Sequence, residues 1–324
     1  MYKYILTALL IAFFAGCSKP KPVVAPAWYT TPPKDFKFIY ATGKDKNAKK
    51  AKQKAILALR AQILSQVNDA FKTKQTKLRI GSKQELNLLL KSNEYICNTI
   101  SMREAKLEKE TIFKGNSLVL MKISREKMFN MLSKKLNKKF PADVQRFNAS
   151  KNKIAIKRFI TYKELSLNYP EFASLIQLKK VILPTYDTYD EFTYLNDLKN
   201  EYLKVKQSIT IFVLSDINSR IFVPAVKSAL VAQGLILTPK VKSKDALKIF
   251  ITSQTADAND YSFKQSTSLV KYTTYDIQKK RVGFRQHTFI GKSRKSYQDA
   301  KAQAAIFEAS KIRKLGIFDF LGLK

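Results

Sequence analysis

The first fourteen residues of the chain combine a short basic start with one apolar run. Lys3 precedes residues 5–14, a largely apolar stretch of ten residues. A helix that crosses a bilayer needs about 20 such residues, so this stretch predicts a removable signal peptide rather than a membrane span. No later segment approaches the length of a span, and we therefore expect the rest of the chain to fold in the periplasm.

The four residues that follow the apolar run resemble the lipobox of bacterial lipoproteins. Phe14-Ala15-Gly16-Cys17 places two small residues directly before a cysteine. The resemblance implies that residues 1–16 are removed as a signal peptide and that Cys17 becomes the lipidated, palmitate-bearing first residue. The membrane is then a partner of the chain through Cys17. Ser18 follows instead of Asp, which by the same resemblance implies the outer membrane; a plain secreted protein with a chance cysteine is the alternative.

The composition disfavours most kinds of catalytic centre. The 324 residues include one histidine, His287, with two cysteines and 9 glycines. A single histidine removes most zinc sites and His-dependent triads, and two cysteines cannot form a disulfide scaffold. The sequence also lacks a Walker loop, a dinucleotide fingerprint, Cys-x-x-Cys and His-Glu-x-x-His. We therefore expect no catalytic, cofactor-binding or metal-binding residues, and no cofactor.

The chain is strongly basic, with 60 Lys and Arg against 25 Asp and Glu and a net charge of +35. Lysine-rich runs occur at residues 44–54, 134–139 and 279–285. They fit the carboxylates of peptidoglycan or the phosphates of lipopolysaccharide, and they equally fit a solvated lysine coat. Such runs could also contact nucleic acid, but the compartment argues against it, and we expect no nucleic-acid partner.

Proline and charge divide the chain into five segments. Residues 17–33 hold five prolines and predict a stiff tether behind the lipidated cysteine. Residues 141–208 are nearly neutral and helical in pattern, whereas the segments on either side are basic. The expected order is a signal peptide (1–16), the tether (17–33), an Lpp-type lipoprotein domain (34–140), a helical spacer (141–208) and a C-terminal α+β domain (209–324). The predicted fold class is α+β, with two small sheet-and-helix domains joined by the spacer.

Periodicity predicts the elements of the first domain. They are a strand at 37–42, a helix at 47–71, a hairpin at 104–124 and a helix at 125–139. Gly43 is expected to close the strand, Asn47 to cap the helix, and the Lys114-Gly115-Asn116 turn to form the hairpin. The pattern leaves residues 72–100 ambiguous.

The C-terminal half predicts helices followed by a β-α-β-β-β-β-α order. Residues 188–191 read as a capping box that opens the last spacer helix. The strands are expected at 209–214, 235–237, 246–252, 269–277 and 282–290, and the helices at 220–233 and 297–315. The apolar tail at 316–323 is expected to dock into its own core, with insertion into a partner as the alternative. Gly43-Lys44 and Gly291-Lys292 each precede an Ala-rich helix, which fits either a duplicated unit or a common strand-to-helix pattern.

Part of the first domain resembles a known family. Pro26-Ala27-Trp28, the strand ending at Gly43 and the Ala-spaced helix after it resemble the twenty-kilodalton Lpp family of outer-membrane lipoproteins from spiral-shaped Gram-negative bacteria. The resemblance covers about residues 26–137. Thr42 departs from the pattern, since valine is more usual there. The resemblance implies a non-enzymatic envelope component, with some members in ring-forming assemblies and no catalytic residues to transfer.

Three further features have two interpretations each. His287 lies in a predicted strand and is expected to be a hydrogen-bonded sheet residue, with a catalytic base as the alternative. Cys97 is expected to be a buried apolar residue rather than a reactive thiol. The acidic residues at 187, 190 and 191, with neighbouring tyrosines, are expected to cap and solvate a helix, whereas a calcium or acid–base site is the alternative.

These observations together predict a non-enzymatic, lipid-anchored envelope protein that acts as a scaffold or periplasmic adaptor at the outer membrane. The expected partners are the membrane, envelope proteins or peptidoglycan, and a further copy of the chain in a homo-oligomer. The alternatives are a protein that binds peptidoglycan or lipopolysaccharide, and a cell-wall hydrolase accessory.

Overall fold

The computed structural model describes residues 24–73, 76–240 and 243–324. These residues form a mixed α+β protein with a three-stranded and a five-stranded sheet, which confirms the predicted fold class. The chain divides into two compact units. The first takes in the described residues up to Leu64 together with Thr99–Phe129, and the second takes in Ser65–Asn98 and Asn130–Lys324.

The first unit is built on an antiparallel sheet of order β1-β3-β2. Its elements are α1 (Ala27–Thr30), β1 (Phe38–Asp45), the first turns of α2 (Ala48–Lys72), β2 (Lys106–Phe113) and β3 (Asn116–Ser124). The hairpin forms at the predicted turn, where Lys114 and Gly115 both have positive φ, at 47° and 73°. Asn47 caps α2 as predicted, because its Oδ1 accepts hydrogen bonds from the backbone N–H groups of Lys49 and Lys50.

The first strand does not end at Gly43, as the sequence suggested, but continues to Asp45. The glycine has a packing role instead. A Cβ at Gly43 would lie 2.1 Å from the carbonyl oxygen of Ala51 and 2.7 Å from the backbone nitrogen of Ala55. Helix α2 therefore lies directly on β1, and only glycine allows that approach.

The helices of the second unit fill the stretch that the sequence left open and the predicted spacer. They are α3 (Lys83–Thr99), α4 (Arg125–Asn137, from Asn130 on), α5 (Phe140–Ser150), α6 (Ala155–Ser166), α7 (Tyr169–Ile182) and α8 (Tyr189–Ser208). Helix α8 begins where the capping box was predicted, but the side chain of Thr188 makes no capping bond. Instead Oδ1 of the preceding residue, Asp187, accepts a 3.0 Å hydrogen bond from the Tyr189 N–H. The predicted capping box at 188–191 was therefore wrong, because the side-chain acceptor at this helix end is Asp187 and not Thr188.

The five-stranded sheet has the order β5-β4-β6-β7-β8. The elements are β4 (Thr210–Ser215), a 3-10 turn (Arg220–Phe222), α9 (Val223–Ala232), β5 (Ile236–Leu237), β6 (Leu247–Asp260), β7 (Phe263–Tyr275), β8 (Arg281–Ser293), α10 (Tyr297–Leu315) and α11 (Ile317–Phe320). Strand β4 runs parallel to β5 and β6, and the β6-β7-β8 meander is antiparallel. The order matches the predicted β-α-β-β-β-β-α, and α10 has the predicted bounds.

The two strand-to-helix connections share one contact. A Cβ at Gly291 would lie 1.8 Å from the Ala300 carbonyl oxygen and 2.7 Å from the Ala304 nitrogen, as in the first unit. The topologies differ, because β1 precedes its hairpin in the chain whereas β8 follows β6 and β7. The same close contact between a strand glycine and an alanine-rich helix therefore occurs in two sheets whose strands follow each other in a different order.

Candidate functional site

The predicted lipidation residue, Cys17, lies outside the described residues. The end of the tether is described, and it folds into the four-residue helix α1, which contacts β3. Both aromatic residues of this helix, Trp28 and Tyr29, are half-buried and meet edge to face at 6.2 Å. The described end of the tether therefore forms a short helix that contacts the sheet of the first unit.

His287 faces α11 from strand β8. Its Nε2 lies 3.0 Å from the carbonyl oxygen of Phe320, which can only accept, so this nitrogen carries the proton. The imidazole also stacks on the Phe320 ring at 4.4 Å. Burial lowers the pKa of His287, and the positive charges of Lys311 and Arg285 lower it further. The histidine is thus a neutral, hydrogen-bonded sheet residue, as expected.

A buried carboxyl group lies beside this histidine cluster. Glu308 is fully buried on α10, and its Oε1 accepts a 2.5 Å hydrogen bond from the hydroxyl of Tyr272. Its Oε2 has no partner among the described residues. Burial raises the pKa of Glu308 to about 8, although the hydrogen bond from Tyr272 opposes the shift. The group is therefore protonated at neutral pH, which suits it to a core rather than to an open acid–base site.

Sequence reasoning missed this carboxyl group, yet the sequence contained a signal for it. Ala300, Ala304, Glu308 and Ile312 recur every four residues, and all four are buried. That spacing places Glu308 on the face of α10 that contacts β7 and β8.

The acidic residues around α8 contact different lysines. Asp187 pairs with Lys77 at 3.1 Å. Glu191 accepts a short hydrogen bond from Tyr186 and lies 3.8 Å from Nζ of Lys179. The carboxylates therefore do not converge on one point. Within the described ranges, no group of three or more His, Cys, Asp or Glu side chains is placed to hold a metal ion.

Glu85 on α3 is the centre of a polar network inside the second unit. Its Oε2 accepts hydrogen bonds from Nζ of Lys199 at 2.6 Å and from the Gly81 N–H at 2.7 Å, and its Oε1 accepts one from Tyr169 at 2.7 Å. Burial alone would raise the pKa of Glu85, but these hydrogen bonds outweigh it and hold the pKa below its usual value. The network joins helices α3, α7 and α8, which is a structural role.

Two other predicted features are buried. Cys97 is 1% exposed on α3. The apolar tail docks into its own unit, as expected, with Phe320, Leu321 and Leu323 fully buried.

In the basic run at 44–54, Lys52 pairs with Glu110 and Lys54 with Asp45, so part of that charge is already neutralised.

Comparison with known proteins gives distant likenesses only. No protein-family model and no curated protein matches the sequence. Among solved structures, the chain is similar to the secreted protein HP1454 from Helicobacter pylori, with a TM-score of 0.35 and 14% identity over 86% of this chain and 98% of that one. A minor lipoprotein from Acinetobacter baumannii has a TM-score of 0.27 and 13% identity over 34% of this chain and 91% of that one. No residue role is carried over from either protein, and membership of the Lpp family stays a prediction.

Proposed function

We propose that this chain is a non-enzymatic lipoprotein, anchored at the outer membrane through acylated Cys17, whose body acts as a periplasmic adaptor. One observation carries the proposal: the short apolar run ends in Phe14-Ala15-Gly16-Cys17 and leads directly into a proline-rich tether. None of the helices in the described ranges is long and apolar enough to cross a membrane. In the proposal the attachment comes from acylation of Cys17, since two or more acyl chains give stable anchoring.

Four polar groups among the described residues have structural contacts, which supports the non-enzymatic part of the proposal. His287 is engaged by a backbone carbonyl, and Glu308 is enclosed in the core. Glu85 and Asp187 are paired with lysines. An acid–base catalyst needs two groups that converge on an open cleft, and these groups have other roles.

Replacement of the anchor residue tests the proposal. In cells that express Cys17→Ser, we expect the loss of fatty-acid labelling and the release of the protein from the membrane fraction. Ser18→Ala is the matched control, because it alters the next residue without removing the thiol. Labelling and membrane fractionation that stay unchanged in Cys17→Ser would overturn the proposal.

A second experiment separates an adaptor from a self-assembling scaffold and from an enzyme. The full chain, purified in detergent, should sediment as a small particle and should be crosslinked in cells to envelope proteins or peptidoglycan. A large oligomer without added partners would instead indicate a scaffold. Turnover of purified cell wall, abolished by one carboxylate substitution, would contradict the non-enzymatic proposal.

A further inference from the structure

The five-stranded sheet has one side that a helix covers and one side that is exposed. Helix α10 contacts β7 and β8, and the strand residues on that side, such as Ile251, Tyr272 and Phe289, are buried. Successive side chains of a strand point to opposite sides of the sheet, so the residues between them lie on the other side. There Phe250 and Phe284 are 38% and 44% exposed. We call this side the open face and define it by the even-numbered residues 212–214, 248–254 and 284–288 with the odd-numbered residues 269–275.

Large apolar side chains adjoin each other at one end of the open face. One row across four strands, fixed by the register, consists of Leu214, Phe250, Thr273 and Phe284. Tyr275 lies in the adjacent row and meets Phe250 edge to face, with the ring centroids 5.8 Å apart. Neighbouring strands are about 4.8 Å apart, so the two phenylalanines, on either side of β7, are roughly 10 Å apart. Exposed apolar side chains that adjoin in this way are typical of a binding surface.

The charged side chains beside this row are cations. Lys248 lies two residues before Phe250 on β6, and Lys271 lies on β7 in the next row beyond it. The guanidinium of Arg281 lies over the Phe284 ring, 5.5 Å from its centroid. The residues that define the open face include no Asp or Glu. The aromatic row is therefore surrounded by positive charge, which attracts anions.

The spacing and chemistry of these groups fit an anionic sugar polymer. An offset of four residues along the strands separates the Cα atoms of Lys248 and Lys271 by on the order of 14 Å, which suits anionic groups that recur along a chain better than one phosphate. The C–H face of a sugar ring is apolar, and it leaves water when it packs on an exposed aromatic ring. Thr252, Thr273 and Gln286 carry hydroxyl and amide groups that can donate and accept hydrogen bonds, as sugar hydroxyls do.

We propose that the open face binds a strand of peptidoglycan, whose sugar rings carry carboxylates at regular intervals. The sugar rings pack on Phe250 and Phe284, and the carboxylates pair with Lys248, Lys271 and Arg281. A protein partner fits less well, because lysine is depleted from the centres of protein interfaces. The inference deepens the proposed adaptor role and rests on it for the compartment in which the chain meets this polymer.

Co-sedimentation of the full chain, in detergent, with purified peptidoglycan sacculi tests the proposal. Three competitors identify the chemistry that is recognised: polyglutamate has carboxylates without sugar rings, chitin oligosaccharides have sugar rings without carboxylates, and lipopolysaccharide has phosphates. We expect the chain to sediment with the sacculi and each competitor to be at least about tenfold weaker than soluble peptidoglycan fragments. Absence of binding to sacculi, or any competitor as effective as the fragments, would overturn the proposal.

Variants of the aromatic row make the test specific to the open face. Phe250→Ala and Phe284→Ala each remove one exposed ring, so we expect about fivefold to tenfold weaker binding to sacculi. Phe307→Ala is the matched control, because Phe307 is 51% exposed but lies on α10. Unchanged binding in both row variants, or an equal loss in Phe307→Ala, would contradict the proposal. Phe284 is the more exposed of the two, so its variant keeps the test valid if Phe250→Ala unfolds.

A pair of double variants separates the local cations from the high net charge of the chain. Lys248→Gln with Lys271→Gln should weaken binding to sacculi by about tenfold or more. Lys301→Gln with Lys314→Gln, on α10, removes the same charge elsewhere and should have little effect. Equal losses in the two double variants would show attraction by net charge alone and overturn the proposal. Binding to sacculi in detergent needs no acylation, so its failure is distinguishable from failure of the Cys17 experiment.

Discussion

The hydroxyl of Tyr272 donates a 2.5 Å hydrogen bond to the buried carboxyl of Glu308, whose second oxygen has no partner among the described residues. The pair joins strand β7 to helix α10 in the core of the second unit. Burial raises the pKa of Glu308 to about 8, so folding favours its protonated form. In the part of the chain that the structure describes, no lysine or arginine forms an ion pair with Glu308, so its ionised form would lack a cation in contact.

The stability of the chain should therefore fall as the pH rises. Glu308 has a folded-state pKa above its unfolded value, so its contribution is complete below the unfolded pKa and is lost up to about pH 8. We expect the free energy of unfolding to drop by about 1.4 kcal/mol between about pH 7 and about pH 9. His287 contributes little in this range, because its pKa is lowered in the folded state and an unperturbed histidine titrates at about 6.5.

The variant Glu308→Gln removes the titrating proton and keeps the size of the side chain. Denaturant unfolding at both pH values should show that this drop is absent. If the variant retains the full loss of stability, another group is responsible and the assignment to Glu308 is wrong.

The glycines under the two strand-to-helix connections should not tolerate a methyl group. Gly43→Ala and Gly291→Ala would each force Cβ into the backbone of the adjacent helix. We expect a cost of about 3 kcal/mol or more, or failure to fold, because overpacking against backbone cannot be relieved by a side-chain movement. Gly81→Ala is the control, since its nearest neighbour is the flexible end of Lys199 at 3.3 Å. Equal thermal unfolding temperatures for the three variants would contradict the close helix–strand contact.

The sequence predicted the elements whose pattern is local and missed those that depend on distant partners. Alanine spacing placed α10 at its observed bounds, and the Lys114-Gly115 turn placed the first hairpin. The outer arms of β6 and β7 were missed, because their Ser- and Thr-rich residues show no apolar alternation. Ser266 and Ser268 are nevertheless fully buried, on a strand that helix α10 contacts, and that packing is a tertiary feature.

The packing of α6 against α8 could not be predicted for the same reason. Nothing local showed that these two helices, which are separated in the chain by α7, would contact each other. Their approach is a tertiary contact, visible in the stacking of Phe159 on Tyr202 at 5.6 Å.

The Glu85 network should contribute more to the free energy of unfolding than a surface ion pair does. Its carboxylate and Lys199 are 15% and 24% exposed, and Tyr169 and the Gly81 N–H also donate to it. We expect Glu85→Gln to lower the free energy of unfolding by about 1–3 kcal/mol near neutral pH. Because the Glu85 pKa is lowered in the folded state, this loss should shrink as the pH falls and the wild-type carboxylate is protonated.

A surface pair provides the control for that measurement. Arg146 and Glu164 are about half exposed and lie 2.8 Å apart, so Arg146→Gln should change stability by less than about 0.5 kcal/mol. If Glu85→Gln and Arg146→Gln lower the free energy of unfolding in urea by the same amount, the Glu85 network is no more stabilising than the surface pair.

The docked tail should be essential to the second unit. Phe320 is fully buried and contacts both His287 and Tyr272, at ring distances of 4.4 and 4.8 Å. Phe320→Ala should cost about 3–5 kcal/mol, because it leaves a cavity between α11 and the sheet. Ile306→Ala, at an exposed position of α10, should cost little. A native-like unfolding temperature for Phe320→Ala would show that the tail is not part of the core.

The intact mass of the protein extracted from membranes tests the central claim most directly. The account predicts a chain that begins at residue 17, with the added mass of acyl groups on that cysteine. A chain that retains residues 1–16, or one that begins with an unmodified cysteine, would contradict it.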